Sequence, residues 1–209
     1  MITSAFVITA FATLFVIIDP IALTPIFATI TQGIPTVERR RIALRACLVS
    51  FFILAAFSFF GEALMHFIGI SMPAFRVAGG ILLFLTALEM LFERRTKRRE
   101  DQAGDEPDPS HDPSIFPLAL PLLAGPGAIA SVILLSGQAP GIAGTFAVIG
   151  IVAVVLFVVF LSLQASALLE RALGKTGINV ATRLLGMLLA ALAVQFVLDG
   201  LRAFGFAGG

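Results

Sequence analysis

The sequence contains no tryptophan and no tyrosine, so all of its aromatic residues, 20 of them, are phenylalanine. It has a single cysteine, Cys47, and two histidines. One thiol excludes an intrachain disulfide and any cysteine-rich metal centre. Two histidines leave a metalloenzyme or an intramembrane protease little to work with. Charge is scarce as well: 13% of the 209 residues are charged, against about a quarter in an ordinary soluble domain. Fourteen basic side chains face thirteen acidic ones, so no overall positive field points to nucleic acid as a partner. What the chain has in excess is apolar surface: 58% of its residues are hydrophobic and its mean hydropathy is +1.03. These proportions describe an integral membrane protein, with the lipid bilayer as its immediate partner.

A helix that crosses a bilayer needs about 20 mostly apolar residues. Six stretches meet that requirement, at residues 4–30, 42–66, 75–92, 116–136, 142–167 and 183–203. Between Asp112 and Glu170 lie 57 residues without a charge, enough for two spans joined at Ser136–Gly141. The runs are solidly apolar, without the period-2 alternation of a membrane barrel, and so predict helices. Met1 to Phe15 has no basic leader region, and the apolar run continues past Asp19 to Ile30. The start therefore reads as a span and not as a cleaved signal.

Twelve of the 14 basic residues fall on one side of these spans: Arg39, Arg40, Arg41, Arg45, Arg94, Arg95, Lys97, Arg98, Arg99, Arg171, Lys175 and Arg183. Only Arg76 and Arg202 fall on the other. The positive-inside rule then places both termini outside the cytoplasm. The polar, proline-rich tract from Arg98 to Ser114 cannot bury a core and reads as a mobile cytoplasmic linker. It divides the chain into a first three-helix unit (1–95), a linker (96–114) and a second three-helix unit (115–209).

The halves share features in the same order. Pro20-x4-Pro25 in span one corresponds to Pro121-x4-Pro126 in span four, and Arg76-x-x-Gly79 in span three to Arg183-x-x-Gly186 in span six. Copies separated by three spans must be inserted upside down. The expected fold class is therefore an all-α polytopic membrane protein of six transmembrane helices in a 3+3 inverted repeat, an architecture recurrent among secondary transporters.

Spans one and four carry the chemistry. The apolar residues ahead of Asp19-Pro20 make only about 21 Å of helix, short of the ~30 Å hydrocarbon core, so Asp19 falls inside the membrane. Pro20 and Pro25 in span one, and Pro117, Pro121 and Gly125-Pro126-Gly127 in span four, predict kinked or unwound helices. Two readings are open: kinks that serve packing, or a matched pair of discontinuous helices, which marks a transport site. In the second, amino-terminal half-helix ends suit a carboxylate and freed carbonyls suit an ammonium. Asp19 either caps the half-helix that follows or titrates as a proton-coupling group. Thr24 and Ser131 offer hydroxyls at the same depth. Gln195, midway along span six, is either interhelical glue or a substrate contact.

Other polar residues read more plainly. Glu62 and His66 are expected to form an interfacial hydrogen-bonded pair, since two ligands are too few for a closed metal site. Glu89 and Glu93, among arginines, are expected in salt bridges, and Gly79-Gly80 in close helix packing. No catalytic motif is present, so neither an enzyme activity nor a cofactor or metal is expected.

Ile18-Asp19-Pro20-Ile21-Ala22-Leu23-Thr24-Pro25-Ile26-Phe27 resembles the first-span signature of the MarC family of bacterial and archaeal membrane proteins. The resemblance continues in Phe75–Gly80, in Pro121–Ile129 and in Arg183–Gly186 with Gln195. It implies a six-helix inner-membrane protein related to transporters of small neutral amino acids such as glycine and alanine. Carried over by position, the substrate region comprises Asp19, Pro20, Ala22, Leu23, Thr24 and Pro25 at one break and Gly125, Pro126 and Gly127 at the other. Many members have Gly-Asn where this chain has Ala22-Leu23. The expected function is secondary transport of a small solute by alternating access. An exporter or channel for metabolites or drugs, and a non-transporting scaffold, are the rival classes. A homo-oligomer stays open.

Overall fold

The computed structural model describes residues 3–95, 97–99, 112–139 and 141–205. Most of the polar tract expected as a linker, residues 96 and 100–111, lies outside the described residues, as does Pro140 of the expected turn. Among the described residues there is no strand. The helices are α1 (Ser4–Ile18), α2 (Pro20–Ile30), α3 (Thr36–Ile68), α4 (Met72–Leu91), α5 (Pro126–Gln138), α6 (Gly141–Gln164) and α7 (Ser166–Ala203). Ahead of α5 runs an irregular, widely coiled π-helical segment, Ser114–Leu123, with extended backbone at Phe116 and Leu120 and cis bonds before Pro117 and Pro121.

Five stretches are long and apolar enough to cross a bilayer, counting α1 and α2 as one. There are six if Ser114–Leu123 and α5, bent by 55° at their junction, form one more. The last helix starts earlier than the expected span, at Ser166, and kinks at Gly174 (φ 60°, ψ 177°), a backbone conformation open to glycine and strained for other residues.

The broken helices occupy the centre of the bundle. In the most apolar window of the first span 56% of residues are buried, against 28% in α4 and in α7. Leu14, Ile17, Ile18, Leu23, Ile26 and Phe27 of α1 and α2 pack with Leu118, Leu122 and Leu123 and with Val132 and Leu134 of α5. The outer helices turn large apolar side chains such as Phe60, Phe67, Ile142 and Leu188 outward, where lipid is their solvent.

On the arginine-rich side Glu89 and Glu93 form the expected salt bridges. Arg98 donates to Glu89 at 2.7 Å and Arg183 to Glu93 at 2.7 Å. Arg39 stacks over the Phe27 ring, 5.1 Å from its centroid, and donates to the Ser166 hydroxyl. Asp112 accepts from the Ser114 hydroxyl and amide and from Arg45, which holds its carboxyl below the ordinary range. Glu62 and His66 depart from expectation: both are exposed and no hydrogen bond joins them. They are i,i+4 neighbours on the outer face of α3, where water or headgroups solvate each separately.

α4 and α7 lie antiparallel at close range because glycines remove side chains from their seam. A Cβ on Gly80 would sit 2.8 Å from the Ala193 carbonyl oxygen, and one on Gly200 would sit 3.0 Å from that of Pro73. A Cβ on Gly186 would lie 2.9 Å from Met90 Cβ. Small residues let membrane helices approach until van der Waals contact itself binds them. Gly80→Leu is therefore expected to destabilise the protein by about 1–3 kcal/mol, the usual range for overpacking. Gly150→Ala, with nothing within 4 Å, should stay within about 0.5 kcal/mol of wild type. The buried Cys47 makes unfolding in detergent measurable with a thiol-reactive dye. Equal midpoints for the two variants would contradict the seam.

Candidate functional site

Breaking a helix inside a membrane leaves carbonyls without donors on one side and amides without acceptors on the other, and each must find a partner. At the first break the chain turns through Asp19, which is fully buried and left-handed (φ 56°, ψ 72°). Asp19 belongs to the few residue types that tolerate this conformation. Its amide still donates to the Phe15 carbonyl at 2.9 Å, closing α1. Its Oδ1 accepts from the Ala22 amide at 3.3 Å, capping α2, while Oδ2 has no partner. The capping reading of Asp19 is thus the one visible in the geometry.

Pro25 does not break α2, although two prolines five apart predict disruption at both. The Ile21 carbonyl, which loses its donor because residue 25 has no amide hydrogen, accepts from the Thr24 hydroxyl at 2.8 Å. The Pro25 carbonyl accepts in turn from Thr29 at 3.0 Å. Thr24 is therefore committed to backbone repair within α2. Ser131 likewise donates to the Gly127 carbonyl at 2.8 Å.

The freed carbonyls at the end of α1 are met from an unexpected direction. After α4 the chain reverses through Glu93 (φ 60°) and returns Arg95 and Arg99 into the protein, where they are only 6% and 4% exposed. Arg95 donates to the Ile17 carbonyl and to Met90 Sδ. Arg99 Nη2 donates to the Ile18 carbonyl at 3.2 Å and, at the long end of the range, to that of Leu122 at 3.5 Å. One guanidinium group thus touches both breaks. Asp19, and more weakly Glu89, are the acidic groups whose charge acts on these two arginines.

The second break, Gly125-Pro126-Gly127, begins α5 without a side-chain cap. Pro126 has no amide hydrogen, and the Ile129 amide bonds back to Gly125. The amides of Gly127 and Ala128 therefore have no partner within the helix. Gly125 has an ordinary extended backbone (φ −78°, ψ 172°), so space is what demands glycine: a Cβ would stand 2.4 Å from the Pro121 carbonyl oxygen. At Gly127 a Cβ would meet Ile17 Cδ1 at 2.9 Å, which brings the two breaks side by side.

Where they meet lies a cavity of about 240 Å³, lined by Ile17, Thr86, Pro121 to Leu123 and Gly125 to Ala128, with Arg95, Arg98 and Arg99. It is smaller than the ~300–1,000 Å³ pockets of drug-sized ligands and matches a small solute. A wider hollow of about 750 Å³ lies among α2, the turn after α4 and the kink of α7, bordered by Glu93, Arg94, Lys97, Glu170 and Lys175.

Of the residues singled out from the sequence, Gly125, Pro126 and Gly127 line the small cavity. Asp19 and Pro20 form the neighbouring break, with Ala22, Leu23 and Thr24 buried behind it in α2. Pro25 borders the wider hollow. Gln195 is not brought to either break. It is exposed on α7 and donates to Asp199 at 2.8 Å. Arg95 and Arg99 were counted from the sequence as loop residues. Their spacing of four puts them on one face of a helical turn, but Arg94 and Arg98 share that spacing, so the sequence did not single them out. No group of three or more metal-binding side chains occurs among the described residues.

Comparison with known proteins shows the family. The model of the MarC family integral membrane proteins matches residues 4–204. The UPF0056 membrane protein YvbG of Bacillus subtilis is 40% identical over 200 residues, covering 95% of each chain. A UPF0056 membrane protein of Aquifex aeolicus is 40% identical over 194 residues, covering 92% of this chain and 91% of its own. The UPF0056 inner membrane protein YhgN of Escherichia coli is 34% identical over 199 residues, covering 94% and 96%. No solved structure matches.

Proposed function

The chain belongs to the MarC family of integral membrane proteins, and from that premise we propose that it is a secondary transporter of small solutes, foremost neutral amino acids such as glycine or alanine. The observation that carries the reading is the convergence of two helix breaks on one small cavity with arginine side chains and a free helix amino end in its wall. A scaffold needs none of these features. In this proposal the solute sits between the breaks, and alternating access comes from one three-helix unit moving against the other.

The inverted repeat is part of the same proposal. It is supported by the matched order of the breaks and by the antiparallel pairing of α4 and α7, the third helix of each unit, through Gly80, Gly186 and Gly200. An inner-membrane location with both termini periplasmic follows from the arginine asymmetry, and the relative YhgN is itself described as an inner membrane protein.

Counterflow tests the reading. Proteoliposomes loaded with unlabelled glycine or alanine should accumulate trace labelled amino acid saturably, and unloaded vesicles should not. Flux that neither saturates nor needs solute on the far side would replace the carrier with a channel. Proton coupling is assigned to Asp19, the buried carboxylate of the first break. Asp19→Asn should flatten the pH dependence of transport, and an unchanged profile would remove Asp19 from that role.

A further inference from the structure

We propose that the cavity at the second break is a carboxylate site, in which Arg99 and the amino end of α5 hold the anionic head of a small monocarboxylate, and that an ammonium group on the ligand is dispensable. This rests on the reading of the two breaks as the solute site and narrows its ligand class.

Three observations converge on an anion. The first is the unspent donor capacity of two buried arginines. Arg99 Nη1 and Arg95 Nε have no partner, although both residues are more than nine-tenths buried and line the cavity. A buried guanidinium normally uses all its donors, and its fork matches a carboxylate. The second is the start of α5, where Gly127 and Ala128 line the same cavity and their amides have neither an internal partner nor a side-chain cap. A helix amino end of this kind favours negative charge.

The third is the charge balance. Arg98 is neutralised by Glu89 at 2.7 Å. Arg95 and Arg99 share Asp19, so among the described residues the centre carries one positive charge in excess. An uncompensated charge at this depth is costly. A monocarboxylate removes the excess. A zwitterion supplies the same head group but adds a cation, and no acidic side chain lines the cavity to receive it. Recognition therefore runs through the carboxylate, and neutral amino acids bind as members of a broader class.

The test uses purified full-length protein and the unfolding of the Cys47 region reported by a thiol-reactive dye. Acetate, glycine, glycinamide and ethylammonium are compared at equal ionic strength, with chloride as the reference salt. Acetate and glycine are expected to raise the melting midpoint, as any ligand of the native state does, while glycinamide and ethylammonium leave it unchanged. In Arg99→Lys, which keeps the charge but loses the fork, the apparent affinity for both carboxylates should fall about tenfold to a hundredfold, as expected for lost charge-assisted hydrogen bonds. Stabilisation by glycinamide equal to that by glycine, or none by either carboxylate, would overturn the proposal. The wild-type series decides even if Arg99→Lys does not fold. Carboxylate binding without counterflow would leave the site standing and remove the transport reading. Counterflow inhibited equally by glycinamide and acetate would do the reverse.

Discussion

Asp19→Ala is expected to cost about 3–5 kcal/mol of stability, the range for removing one partner from a buried charged cluster. Three losses coincide at this residue. The Ala22 amide loses its cap, worth about 0.5–2 kcal/mol. A non-glycine residue without a polar side chain must hold φ 56°, at about 1–2 kcal/mol. Arg95 and Arg99 lose the acidic group they share. Asp19→Asn retains the cap and tolerates the left-handed backbone, so it isolates the charge. It is expected to account for more than half of the alanine effect. A wild-type midpoint for Asp19→Asn would show that the arginines do not depend on the carboxylate. Combining Asp19→Asn with Arg99→Gln should cost less than the sum of the two, by about 0.5–3 kcal/mol, the usual coupling between members of one electrostatic network. Strict additivity would separate them.

Gly125→Ala is expected to abolish transport, with at least a hundredfold fall in the initial counterflow rate, in protein that still elutes as a single folded species. The added carbon at 2.4 Å meets a main-chain oxygen, Pro121 O, which cannot turn aside as a side chain can. The break must open, and where groups are held in register a displacement of about 1 Å costs roughly a hundredfold. Gly127→Ala meets only the flexible end of Ile17 and should lose less than tenfold. The contrast between glycines two residues apart is the informative result. Equal, near-normal rates for both would mean that the second break is packing geometry and not a working part.

The breaks themselves were legible because proline and glycine act locally. Asp19-Pro20 and Gly125-Pro126-Gly127 each interrupt a helix where the sequence indicates. The salt bridges of Glu89 and Glu93 followed from their arginine-rich surroundings. Pro25 was harder, because its effect depends on a neighbour: the Thr24 hydroxyl substitutes for the missing amide, and α2 continues. Arg95 and Arg99 were not legible as site residues. Counting cations by side treats every arginine beyond a span as solvated, whereas burial here depends on the chain doubling back through Glu93, which no local pattern announces. Gln195 shows the converse. Its mid-span position suggested an inward amide, but its partner is Asp199 one turn along the same helix.

The bond between Arg95 and the Ile17 carbonyl joins residues 78 apart in sequence, and this separation orders the protein's biogenesis. A ribosome adding about 5–20 residues per second needs roughly 4–16 s to make that stretch. During this interval the nascent first span presents a carboxylate and uncovered carbonyls with no arginine to receive them. It is a poor candidate for release into lipid alone. The span of α1 and α2 is therefore expected to stay beside the insertion machinery until α4 has been made, and only then take its place at the centre.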